Sequence, residues 1–398
     1  MRKLFLFITA LTLSAGLWAE TINGVKYLDA TGQQQTADNV TEVTNTEASA
    51  TLNAGWYIVE GTNVQTRTLV CSGAVHIILA DGAKLTATGV DHTPGIQVSG
   101  EGNSLAIYAQ STLASVGQLF AIGGLQCAGI GGGNGQDGSN ITINGGMVTA
   151  RSISSGAGIG GGSGGKGTNI TINGGTVTAD GGDSAAGIGG GGHSGFQQNN
   201  SGSNITINGG EVIATGKGGG AGIGGGSGPN GSGSNITING GTVTATGSNN
   251  AASIGGGSGG KGTNITINGG IVTARSSSNA GDGIGGGESK SIFAATPILL
   301  KAGESNHEIE VPHFTGCDIA AMLKGKTSVI VVAGTATPYA AGKNDGIVEG
   351  KAAAKAELLG DMAEPCTGCT AVEVTDGTTT VTLYNATGVD YIKVPSEE

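Results

Sequence analysis

The sequence predicts an all-β chain folded as a right-handed parallel β-helix, a solenoid, with a small C-terminal mixed cap or domain. Three observations predict it. The heptapeptide NITINGG occurs five times unchanged, beginning at Asn140, Asn169, Asn204, Asn235 and Asn264. Each copy is followed by an alternating run such as Met147-Val148-Thr149-Ala150 and preceded by a GIGGG or SIGGG block, around Ile130, Ile159, Ile188, Ile223, Ile254 and Ile284. Successive repeat asparagines lie 29, 35, 31 and 29 residues apart. Such a period marks units that bury their apolar side only against the next unit, so the fold grows along one axis.

Residues 1–19 read as a secretory signal: Arg2 and Lys3, the apolar run Leu4 to Leu13, then small residues ending at Ala19. The mature chain is expected to begin near Glu20, and a run this short falls below the roughly 20 apolar residues that span a bilayer. No later stretch offers a transmembrane segment, and export to the cell surface or the extracellular space (or the periplasm) is expected. Residues 20–54 are read as a leader or cap, residues 55–303 as the solenoid with its regular coils at about 127–287, and residues 304–398 as a C-terminal cap or small domain.

Within one repeat, Ile141 and Ile143 point to one face of a strand and Thr142 to the other. Asn144-Gly145-Gly146 supplies residues that turn a corner. Val148 and Ala150 then resume the alternation, and Ala157-Gly158-Ile159-Gly160 gives a third inward position whose glycines let neighbouring backbones approach. Three short strands and three corners make one coil. Stacking aligns Ile141, Ile170, Ile205, Ile236 and Ile265 inside, and Val148, Val177, Val212, Val243 and Val272 likewise. Thr142, Thr171, Thr206, Thr237 and Thr266 form an outer column, and Asn144, Asn173, Asn208, Asn239 and Asn268 line one corner, where stacked amides hydrogen-bond along the axis. Right-handedness follows from the general preference of parallel crossovers.

Degenerate coils extend the stack. His76 to Gly82 with Leu85 to Gly89 is one, and Gly95-Ile96 with Ser104-Leu105-Ala106-Ile107 is another. Ser291-Ile292-Phe293 with Ile298-Leu299-Leu300 reads as a last coil. Beyond it lie Val329 to Val332, a helix-prone run from Lys351 to Leu359, and two terminal strands near Val372–Val374 and Val381–Tyr384.

The formal charge of −11 is uneven. Residues 127–287 carry five basic and five acidic side chains, so the array is neutral and the acidity sits in its flanks. Nucleic acid is thereby disfavoured as a partner, since binding phosphates needs a basic stripe. Gly is 81 of 398 residues but follows no three-residue period, which excludes collagen. Of five cysteines, Cys366 and Cys369 form a CTGC pair read as a local disulfide or free thiols, while Cys71, Cys127 and Cys317 read as small buried hydrophobes, one pair of which could be bridged.

Parallel β-helices include polysaccharide enzymes, whose chemistry needs clustered carboxylates or an aspartate with calcium. Here the outer columns are Thr and Asn, Asp180 and Asp183 fall in a loop, and His193 stands alone. Gly132 to Asp137 reads GGNGQD, like the start of a calcium-binding nonapeptide, but Lys166 and Lys261 occupy the ligand position in the matching segments. The GIGGG blocks lack the context of a phosphate or dinucleotide loop. The column Met147, Thr176, Glu211, Thr242, Ile271 is too irregular for an ice-binding face. The Asn-Ile-Thr sequons reflect the ladder. Trp56, Tyr57 and Tyr108 read as cap core. The sequence thus assigns no catalytic residue, no metal ligand and no cofactor.

The head from Gly55-Trp56-Tyr57-Ile58-Val59 through Leu105-Ala106-Ile107-Tyr108, followed by alternating GIGGG and ITINGGTVTA units, resembles a group of secreted or surface repeat proteins of gut and oral bacteria, commonly labelled carbohydrate-binding-domain proteins. The resemblance covers roughly residues 50–300. It implies a secreted or surface β-helix, some similar modules of which bind acidic plant polysaccharide. The outward threonine and asparagine ladders themselves read as hydroxyl and amide contacts for a polysaccharide or host glycan in a non-catalytic binder or adhesin. A structural spacer without a ligand is the rival reading, and a polysaccharide lyase or hydrolase a more distant one.

Overall fold

The computed structural model describes residues 21–276 apart from 46–47, 63, 113–114 and 193–198, together with residues 283–287 and strands at 299–300, 307–311, 329–333, 364–366, 372–375, 380–383 and 391–393. The chain is a parallel β-helix whose strands stack in three columns. One column holds the two-residue Ile-Gly strands, from Ile96–Gln97 through Ile130–Gly131 to Ile284–Gly285. The second holds Gly138–Ile143, Gly167–Ile172, Gly202–Ile207, Gly233–Ile238 and Gly262–Ile267. The third holds Met147–Ser152, Thr176–Asp180, Glu211–Thr215, Thr242–Gly247 and Ile271–Ser276.

Register is the same from coil to coil. Ile141 pairs with Ile170, Ile170 with Ile205, Ile205 with Ile236 and Ile236 with Ile265. In the third column Val148, Val177, Val212, Val243 and Val272 pair in the same way. These inner side chains are at most 2% exposed. Each buried Ile or Val contributes roughly 1.5–3 kcal/mol of transfer free energy, so the core is one thin continuous column.

Glycine makes the close stacking possible at two recurring places. Gly146, Gly175, Gly210, Gly241 and Gly270 turn the corner after the asparagine with φ between 85° and 93°, in the left-handed region. In the Ile-Gly strands Gly160 has φ +135°, and a Cβ there would lie 2.0 Å from the carbonyl oxygen of Gly189 in the next coil. The loops beyond are also stacked: Gly162 N donates to Gln136 O, Gly191 N to Gly165 O, Gly226 N to Asn200 O and Gly257 N to Gly231 O, at 2.8–3.1 Å. Buried loop backbone is therefore paired along the axis like the strands.

The solenoid is longer than residues 55–303. At the front, Val40–Glu42 already pairs in parallel with Trp56–Ile58, and Ala50–Val59 with Leu69–Leu79. Strand Leu69–Leu79 bends from the first column, where Leu69 meets Ile96, into the second, where Val75 to Leu79 align with Leu105 to Ala109. The fold turns within this strand at Gly73, φ +85°. At the back, Leu299–Leu300 pairs with Thr266–Ile267, and His307–Val311 and Val329–Ala333 extend the third column. The segment 304–398, read as a cap or small domain, gives its first strands to the solenoid, because short alternating strands continue the ladder even where the repeat motif has ended. Two antiparallel pairs follow, Val372–Thr375 with Thr380–Leu383 and Glu364–Cys366 with Tyr391–Lys393. Ser291-Ile292-Phe293, the run from Lys351 to Leu359, Cys317 and Cys369 lie outside the described residues, as does the proposed signal at 1–19. No helix among the described residues is long and apolar enough to cross a membrane.

A hairpin made of Val25–Leu28 and Gln34–Ala37 lies outside the first coils. Its turn is fixed by Asp29, whose Oδ1 accepts from the backbone N of Thr31 and Gln33 and from the Thr31 hydroxyl, and whose Oδ2 accepts from Gln35 Nε2. These bonds hold the Asp29 carboxyl at about 2, below the usual carboxylate range.

Candidate ligand-binding face

The outer side of the second column is built from the repeat itself. Thr142, Thr171, Thr206, Thr237 and Thr266 pair directly with one another across successive coils. Their side chains are half-buried, and their hydroxyls make no hydrogen bond to any described residue. Coils in a parallel ladder are about 4.8 Å apart, which sets the spacing of these hydroxyls.

On one side of this column stands the expected asparagine corner. Asn173 Nδ2 donates to Asn144 Oδ1 at 2.7 Å, Asn208 to Asn173 at 2.6 Å, Asn239 to Asn208 at 2.7 Å and Asn268 to Asn239 at 2.6 Å. Each amide within the ladder keeps a second N–H and further lone-pair capacity for an outside partner.

On the other side stands a second ladder that sequence reasoning missed. Asn140, Asn169, Asn204, Asn235 and Asn264 all have φ between 52° and 57°; from Asn169 on each amide donates to the one before it at 3.0–3.1 Å, and Asn140 donates to the Asn103 carbonyl. Asparagine is the residue that best tolerates this left-handed conformation after glycine. The signal was its invariance at the first position of the heptapeptide, which a strict period-two reading of the strand treats as an ordinary outward position. A further hydroxyl column, Ser139, Thr168, Ser203, Ser234 and Thr263, completes the face. From position 138 to 144 and its equivalents no residue is ionisable. The result is a neutral face of hydroxyls and amides, repeated over five coils.

The third column presents a mixed surface. Met147, Thr176, Glu211, Thr242 and Ile271 pair in sequence, with Met147 37% and Ile271 42% exposed. Asp137, in the calcium-like segment, has its Oδ1 occupied by the backbone N of Lys166 at 2.7 Å. Among the described residues no three or more His, Cys, Asp or Glu side chains converge to hold a metal ion. Cys71 and Cys127 are buried free thiols, and burial pushes Cys71 up to about 12. The Cys366 and Cys369 pairing rests on a residue outside the described set, as do His193 and Phe196.

The aromatic residues of the head form a cluster under the hairpin. Trp56 stacks on His76 at 4.5 Å and 19°, and Tyr27 lies 4.7 Å from Trp56 and 4.9 Å from Tyr108. Ile58 and Ile78 alternate with the inner residues and so point outward, yet they are 1% and 0% exposed because the hairpin covers them.

A stack of parallel strands with inward Ile and Val ladders, outward polar ladders and a near-constant repeat defines a β-helix repeat protein. Five segments, 141–163, 170–192, 205–227, 236–258 and 265–288, each match the Beta helix repeat family. Every matched segment begins at the first isoleucine of the NITINGG heptapeptide and runs into the next Gly-rich loop. No curated protein and no solved structure matches the chain.

Proposed function

We propose that this chain is a non-catalytic, exported β-helical protein that binds a neutral glycan at the cell surface or outside the cell, along the Thr/Asn face. One observation carries the reading: five threonine hydroxyls stand in register with no partner among the described residues, between two asparagine ladders, on a face without an ionisable side chain. A polymer of hydroxyl-bearing units laid along the axis meets the same donors and acceptors at every coil. Each contact is weak, and repetition on one rigid face raises the effective concentration of the next. The absence of charge on the face fits an uncharged polymer better than an acidic one.

The test is binding of the chain from Glu20 onward to a broad glycan array, with soluble product from bound polysaccharide followed in the same samples. Binding without release supports the reading. Release of product turns the protein into an enzyme, and silence on both counts makes it a structural spacer.

A further inference from the structure

The Thr/Asn face has an end. Asn144 follows Ile143, which pairs with Ile107; continued toward the N-terminus, its column becomes Tyr108, then Ile78, then Ile58. At that point the hairpin overhangs the coils and leaves a cleft of about 440 Å³, within the ~300–1,000 Å³ range of small-ligand sites. Its apolar wall includes Ile22, Val25 and Ile58, and its polar wall includes Glu60, Asp81 and Gln110.

Asp81 is the informative member. Its Oδ2 accepts from the Ser111 hydroxyl at 2.7 Å, while its Oδ1 is shielded from solvent and has no hydrogen-bond partner. A shielded carboxylate oxygen without a donor is costly, and each such group in a folded protein calls for an explanation. The residue as a whole is half-buried and lines the cleft beside Glu60.

We propose that this cleft holds the terminal sugar of a glycan lying along the Thr/Asn face; the proposal rests on the glycan-binding reading above. A ring C–H face would pack on the half-buried Ile22, two hydroxyls would donate to Asp81 and Glu60, and Gln110 would offer its amide. With two carboxylates against Lys26, the lining repels uronic acids and selects a neutral sugar.

The experiment titrates the chain from Glu20 onward with the methyl glycosides of glucose, galactose, mannose and N-acetylglucosamine, using saturation-transfer NMR. It is repeated on Asp81→Ala, on Glu60→Ala and on a face variant carrying Thr142→Val, Thr171→Val and Thr206→Val. The expected result is saturable binding of at least one glycoside, weakened about tenfold or more by each cleft substitution, while the face variant is read on polysaccharide retention. Should Asp81→Ala not fold, Glu60→Ala, at an exposed side chain, carries the test. Binding indifferent to both cleft substitutions, or no binding by any glycoside, overturns the proposal, as does saturable calcium binding lost in Asp81→Ala without any sugar binding. Loss of polysaccharide but not glycoside in the face variant separates the two sites. Glycoside binding without polysaccharide binding by the unaltered chain would remove the face and leave the cleft.

Discussion

The indole of Trp56 and the imidazole of His76 lie face to face, 4.5 Å apart on adjacent coils, with Tyr108 Oη 3.2 Å from His76 Nδ1. Burial holds His76 below its usual value of 6.5. The unfolded chain therefore takes up a proton at a higher pH than the folded one. The stability that neutral His76 supports is full above about pH 6.5 and is lost as pH falls below it. In the chain lacking residues 1–19, Trp56 is the single tryptophan and reports the head directly. Its unfolding midpoint in urea should fall between about pH 8 and about pH 5, and His76→Phe should flatten that dependence.

Replacing Asn173 by Leu removes two ladder bonds, to Asn144 and from Asn208. A loss of about 0.5–1.5 kcal/mol is expected, read as a lower denaturation midpoint, because the partly buried bond to Asn144 is lost while the exposed Asn208 amide can turn to water. An unchanged midpoint would mean that water serves these amides as well as their neighbours do.

Two glycines with positive φ should behave oppositely. In Gly160→Ala the new Cβ meets the backbone of Gly189 at 2.0 Å, and the coils cannot close to ladder distance. Insoluble or misfolded protein is expected. Gly135, φ +71°, has open space around its Cβ position, so Gly135→Ala should cost only about 1–2 kcal/mol of left-handed strain. Soluble yield and melting temperature of the pair distinguish contact from conformation.

Inside and outside of one strand should also separate. Ile170→Ala leaves a void in a fully buried column and should cost about 2–5 kcal/mol. Thr171→Val, one residue away and half-buried on the outer face, should change stability by only about 0.5 kcal/mol while removing a hydroxyl from the face. Combined with the same change at Thr142 and Thr206, it should weaken retention on any glycan that the unaltered chain binds.

Cys71 should resist alkylation by iodoacetamide at about pH 8 in the native protein and react on unfolding, since its buried thiol is pushed up to about 12 and the thiolate is the reactive species.

What the sequence revealed follows from repetition. Ile141, Val148, Thr142 and Asn144 could be placed because each recurs in register, and alternation sorts their faces. The left-handed Asn140 was hidden because a period-two pattern carries no sign of φ. The hairpin of Val25–Leu28 and Gln34–Ala37 occurs once, is only four residues per strand, and covers outward Ile58 and Ile78 from a distance in sequence that no local pattern reaches. The ends of the solenoid were misjudged for the same reason: Val40–Glu42 and Val329–Ala333 join the ladder by backbone pairing, which asks little of side-chain identity. The cleft at Asp81 depends on that hairpin and was invisible with it.

Within both asparagine ladders each hydrogen bond runs from an amide N–H to the oxygen of the coil before it, so the side-chain dipoles add head to tail and give the solenoid a direction independent of its strands. At one terminus the Asn144 chain gives way to Tyr108, Ile78 and Ile58, and at the other it ends in Asn268 Oδ1, a buried acceptor with no donor among the described residues. The two poles are therefore chemically unlike. A coil inserted after Asn268 would bring that oxygen an N–H, whereas one inserted before Asn144 would have to take the place of Tyr108 as its neighbour, so the ladder accepts a new coil more readily at its C-terminal side.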